Sequence, residues 1–136
     1  MCEIKKIRTL QAPEAIGPYS QAVLYKDLVF VSGQIPINPE IGKIVDGGIE
    51  VQTHRCIKNI SAILKESNSF LENVLKVEVY IDDIADFNAM NEVYIEYFTG
   101  DVKPARSVVE ISKIPKNALI EIACVAVTGN RGQGAG

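Results

Sequence analysis

The sequence predicts an α+β fold: a single mixed or antiparallel six-stranded sheet with two helices on one face. Three observations carry this. Residues 50–66 and 86–98 repeat apolar side chains at helical spacing. Residues 74–81 and 119–127 are strand-like, the first by strict alternation. Read in order, the elements run β-β-β-α-β-α-β-β, a pattern that segregates helices from a sheet rather than interleaving them throughout. At 136 residues the chain suits one hydrophobic core, and the boundaries read as one domain over 1–128 with a Gly-rich tail over 129–136.

Ile4 to Arg8 reads as the first strand, and Gly17–Pro18 marks a turn. Ser20–Tyr25 and Leu28–Ser32 flank Lys26–Asp27 as a hairpin. A loop rich in Pro, Gly and Asn follows, from Pro36 to Gly48. In the first helix Val51, Ile57, Ile60 and Leu64 share a face, with Gln52, Arg55, Lys58 and Lys65 mostly opposite. Leu75, Val77, Val79 and Ile81 alternate with Lys76, Glu78 and Tyr80. Asp86 is placed to cap the second helix, which carries Phe87, Met90, Tyr94 and Phe98 and is expected to end at Gly100. Strands follow at 105–111 and 119–127.

The last strand has two apolar faces. Leu119, Ala123, Val125 and Val127 lie on one, and Ile120, Ile122, Cys124 and Ala126 on the other. Two helices cover one face of a sheet, so the second needs another partner. A homo-oligomer that packs the second faces together is expected.

Net charge is −3 and the pI is near 5.2. Nucleic-acid binding needs a basic face, which this balance argues against. Residues 1–20 contain no long apolar run and no stretch is long enough to span a membrane, so a cytoplasmic protein is expected. Cys2, Cys56 and Cys124 form neither a disulfide framework nor a zinc pattern. No phosphate loop or dinucleotide fingerprint is present, and no cofactor or metal is expected.

The candidate chemistry rests on two charges that interrupt apolar strands, Arg106 in KPARSVVEI and Glu121 in IEIACVAV. Two readings are open. They pair as a structural ion pair, or they serve a site. In the second, the planar fork of Arg106 takes a carboxylate and a partly desolvated Glu121 carries a proton. His54 is the only histidine, which leaves too few for most nucleophilic triads; it reads as a surface or packing residue. Tyr19 beside the Gly17–Pro18 turn reads as packing on its own, as Asn91 in the second helix reads as a solvated or capping residue. Ser32–Gly33 close the third strand, where glycine allows close backbone approach.

Six stretches in this order resemble the RidA/YjgF family of enamine/imine deaminases: AIGPYSQAV (15–23), VFVSGQIP (29–36), QTHRCIKNI (52–60), FNAMNEVYIEYF (87–98), PARSVVEI (104–111) and IEIACVAV (120–127). The resemblance implies a chorismate-mutase-like fold assembled as a homotrimer, with sheets inward as a barrel-like core and sites in clefts between subunits. It implies hydrolysis of reactive enamines and imines, 2-iminobutanoate or 2-iminopropanoate, to 2-oxo acids and ammonia. Arg106 then falls on the carboxylate clamp and Glu121 on the acid that activates water. Tyr19, Ser32, the Gly33 amide and Asn91 fall on positions lining the pocket. Many bacterial members have Cys two residues after the arginine, where this chain has Val108. Such substitution removes any role for that thiol. A non-catalytic 2-oxo-acid-binding or regulatory trimer is the alternative. A ribonuclease or translation inhibitor, linked to some relatives, fits the acidic balance less well.

Overall fold

The structure is a computed structural model and describes residues 3–129. The strands are β1 (Ile4–Ile7), β2 (Ala22–Tyr25), β3 (Leu28–Gln34), β4 (Ile37–Asn38), β5 (Lys43–Ile44), β6 (Val74–Ile81), β7 (Ala105–Glu110) and β8 (Ile120–Val127). The helices are α1 (Ile49–Glu66) and α2 (Phe87–Tyr97). Six strands form one sheet in the order β1-β2-β3-β8-β6-β7. β6 and β7 are parallel and every other pairing is antiparallel, so the sheet is mixed. β4 and β5 form a separate two-stranded ribbon inside the Pro- and Gly-rich loop. Alternation is too short there to signal a strand. The tail predicted at 129–136 lies outside the described residues, except for Gly129.

Parallel neighbours cannot be joined by a hairpin and need a crossover. α2 supplies it between β6 and β7. α1 connects β3 to β6, and β8 is inserted between them, a split crossover. α1 packs against β3, β8 and α2. Val29 and Val31 of β3, Val77 and Val79 of β6, and Ile120 and Ile122 of β8 bury themselves with Ile57, Ile60, Ile63 and Leu64 of α1 and Met90 of α2. That is the core. Most of the other side of the sheet is open: Phe30 is 43% exposed and Val109 44%, and Ala123, Val125 and Val127 are only half-buried. Both faces of β8 are apolar, as its sequence reads, but only one is occupied.

Two helix ends differ from expectation. Asp86 makes no side-chain capping bond. Residues 84–86 form a 3-10 turn ahead of α2, which moves the first free amides toward Asp83, and Asp83 accepts from the Ala85 N–H. α2 stops at Tyr97, before Gly100, because Phe98 leaves the helical path to stack on Tyr94 at 4.4 Å between ring centroids. α1 ends on Asn68 at φ 57, with the Ser67 and Ser69 amides donating to the Leu64 carbonyl.

Ile60 is fully buried on α1. Truncation to alanine is expected to cost about 2–5 kcal/mol of unfolding free energy in urea denaturation. A loss under about 1 kcal/mol would contradict its place in the core.

Candidate functional site

Glu121 sits on β8 between Ile120 and Ile122 but points to the uncovered face, because side chains alternate along a strand. What gives it room is a bulge. Val31 pairs with Cys124, whereas Gln34 pairs with Ile122, so β3 spends three steps where β8 spends two. The surplus falls at Ser32–Gly33. A Cβ on Gly33 would lie 1.9 Å from Glu121 Oε2 and 2.9 Å from Cδ. The carboxylate thus occupies the space that any larger residue would fill. Burial pushes the Glu121 carboxyl above its ordinary value.

Ser32 is held on both sides of the bulge. Its N–H donates to the Gln21 carbonyl at 2.9 Å and its hydroxyl to the Ser20 carbonyl at 2.6 Å. The hydroxyl proton is therefore committed, and the oxygen remains an acceptor. Gln21 is 3% exposed and anchors the preceding loop. Its amide oxygen accepts from the Thr9 N–H at 2.7 Å, and its Nε2 donates to the Pro13 carbonyl at 2.7 Å. That staple carries Tyr19, whose N–H donates to Gly17 O across a tight turn with Gly17 at φ +131.

Tyr19, Ser32, Gly33 and Glu121 line one cavity of about 490 Å³, together with Ile35 and Lys116. Reading the sequence did not single out Gln21 or Lys116. A glutamine at the head of a short apolar strand was the available signal for Gln21. Lys116 resembles any loop lysine. Another cavity of about 490 Å³ lies over α1, beside Arg55, Lys58 and Tyr97, and none of the predicted site residues lines it.

Arg106 and Asn91 lie elsewhere. Arg106 is on the sheet-edge strand β7 and faces α2, where its Nη1 donates to Asn91 Oδ1 at 2.6 Å. Its guanidinium sits 4.6 Å over the Tyr94 ring and 5.7 Å from the Phe87 ring. The Tyr94 hydroxyl beside it is buried without a hydrogen-bond partner, and burial raises its pKa against the opposing pull of Arg106. The ion-pair reading fails within one chain. β6 lies between β7 and β8, and Arg106 and Glu121 point to opposite faces of the sheet. Two strand spacings and a three-residue offset put their backbones on the order of 14 Å apart. The ion pairs among the described residues are Arg8–Glu14 and Lys76–Glu78.

The remaining candidates are structural. His54 Nδ1 meets the Tyr97 hydroxyl at 2.7 Å and ties α1 to α2. Val108 packs on the helix-facing core. Burial drives the Cys56 thiol up and pushes Cys124 up to about 12, so neither offers a thiolate at neutral pH.

The model of the family described as endoribonuclease L-PSP matches residues 9–128. The chain belongs to this family. It is the RidA/YjgF family that the sequence resembles. This Rid-family chain is 55% identical over 120 residues to a RutC family protein of Pyrococcus abyssi, covering 88% of this chain and 94% of that one. It is 43% identical over 123 residues to the human protein named 2-iminobutanoate/2-iminopropanoate deaminase, covering 90% and 89%. Its fold superposes on the crystal structure of E. coli TdcF with bound serine at a TM-score of 0.87 and 37% identity, covering 92% and 99%.

Gly33→Ala is expected to leave the fold intact, since the clashing group is the free end of a side chain. It should expel the Glu121 carboxylate from its position. A crystal structure of the variant checks this, and an unmoved carboxylate would overturn the account of Gly33.

Proposed function

We propose that the protein hydrolyses small 2-imino acids to 2-oxo acids and ammonia, in clefts completed by a second copy of the chain. The observation that carries this reading is the division of the candidate residues. A half-buried acid with its cavity lies on one face of the sheet, and an arginine without an acidic partner among the described residues lies on the other. A site using both charges draws them from neighbouring copies. The uncovered apolar face of β8 supports an assembly, and we take it to be a homotrimer. The human relative's name and the serine held by TdcF support a small amino-acid-like ligand.

In this mechanism Arg106 of one copy holds the substrate carboxylate, with Asn91 fixing the guanidinium. Glu121 of the neighbour takes a proton from water, and the hydroxide adds to the imine carbon. The imine enters protonated, so hydroxide addition gives a neutral carbinolamine. Glu121 returns the proton to nitrogen, the carbon–nitrogen bond breaks and ammonia leaves. The hydroxyl proton passes back through Glu121 to ammonia as the carbonyl of the 2-oxo acid forms. Tyr19, Ser32 and the Gly33 amide line the pocket. Imines hydrolyse unaided, so orientation and one proton shuttle suffice.

The test is imine clearance. An amino-acid oxidase generates imino acids in the presence of semicarbazide, and the enzyme should suppress semicarbazone formation. Arg106→Ala should lower kcat/KM about a hundredfold, the equivalent of about 3 kcal/mol from a charged bidentate contact. Glu121→Gln should slow turnover while sparing binding. Saturable 2-oxo-acid binding without any clearance would instead favour a binding module.

The pH dependence follows from burial. As a base Glu121 must be ionised, so kcat/KM should rise with pH through a midpoint above the ordinary carboxylate value. Stability runs the other way. A raised folded pKa means the folded chain binds the proton more tightly, so Glu121's contribution falls as pH rises from the unfolded through the folded pKa. Glu121→Gln should flatten both profiles.

Mixing separates shared from single-chain sites. Arg106→Ala and Glu121→Gln chains, unfolded and refolded together, should recover about a quarter of wild-type turnover if each site takes one residue from each of two copies and assembly is random. No recovery would mean that each chain carries its own site.

A further inference from the structure

The Glu121 cavity also holds one cation that no acid neutralises. Lys116 lies in the turn Pro115–Asn117 that leads into β8. Besides it, Glu14 and Glu121 are the charged residues lining the cavity. Glu14 is taken by Arg8 at 2.6 Å. Lys116 has no ion-pair partner among the described residues.

Its backbone is also unusual. Lys116 has φ 59 and Asn117 φ 57, two successive residues in the left-handed region without a glycine. Asparagine tolerates that region, but lysine gains nothing there. The turn is held in place by its ends: Ile114 and Ala118 are buried, and the Ala118 N–H donates to the Pro115 carbonyl at 3.2 Å. Strain that surrounding packing enforces is a mark of functional positions. The charge and the strain are independent observations, and they fall on one residue.

We propose that Lys116 is a specificity residue that favours 2-imino acids whose side chain ends in a second carboxylate. This rests on the deaminase reading above. There the substrate's α-carboxylate belongs to Arg106, so the charge of Lys116 is left for a different anion. Ile16, Ile35 and Ile37 line the same cavity and suit a short methylene stem. A distal carboxylate next to Glu121 is repelled unless a cation stands by, and Lys116 is that cation. A cavity of about 490 Å³ is in the range that accepts ligands larger than a three-carbon imino acid.

The experiment uses the full-length assembly and the semicarbazide assay with two imino acids, one derived from alanine and one from glutamate. The readout is the ratio of kcat/KM for the dicarboxylic over the monocarboxylic imine. Lys116→Asn removes the charge with a residue that accepts the left-handed backbone, and it should lower the ratio about fivefold. Lys116→Arg should keep the ratio. An unchanged ratio in Lys116→Asn overturns the proposal, as does an equal fall in Lys116→Arg, which would trace the effect to the turn rather than the charge. If wild type clears neither imine, the deaminase reading fails by itself. Calorimetry then decides the inference separately: the affinity ratio of 2-oxoglutarate to 2-oxobutanoate should fall about fivefold in Lys116→Asn, and an unchanged ratio overturns it.

Discussion

Strand β8 is the constraint on which the rest of the molecule depends. It enters the sheet last in sequence yet lies between β3 and β6, so one of its partners comes from the first quarter of the chain and the other from across α2 and β7. Its Ile120, Ile122 and Ala126 are buried beneath the helices. Without it the two crossovers have no common sheet to lie on. Each of its alternate residues faces the other way, and that geometry delivers Glu121 to the uncovered side at no additional backbone cost. The same strand closes the core and presents the acid.

The bulge in β3 is the complement of that arrangement. A regular β3 would place a side chain against Glu121. One surplus residue at Ser32–Gly33 opens the space, and a glycine keeps it open. The Gln21 staple then holds the Tyr19 loop over the opening. Stability and site share residues here without competing. The carboxylate is desolvated enough to raise its pKa, while Ser32 and Gln21 find their hydrogen-bond partners within the chain.

Arg106 shows why a charge can stay on an edge strand. Its cost is reduced by Asn91 and by the faces of Tyr94 and Phe87, not by an opposite charge. A guanidinium kept ordered but not neutralised retains its attraction for an anion from outside. The uncovered sheet face and the separation of Arg106 from Glu121 have the same explanation if neighbouring copies meet there.

The sequence by itself determined the class of fold, the six long strands and two helices to within a few residues, and the two apolar faces of the last strand. Periodicity records burial, and burial is local in pattern. It also exposed Arg106 and Glu121, because charges within apolar runs stand out. The matching motifs led further, to the family and to Tyr19, Ser32, Gly33 and Asn91. Tertiary structure decided which of these meet. Whether two strand residues share a face depends on register and on the bulge at Ser32–Gly33, and neither leaves a periodic trace. The two-stranded ribbon was silent because two-residue strands are too short to alternate, and the Gln21 staple and the left-handed Lys116 because neither a side-chain bond to a loop carbonyl nor a local backbone angle leaves a periodic pattern. The sequence named the arginine and the acid. Only the folded sheet placed them on opposite sides, because β6 intervenes between their strands.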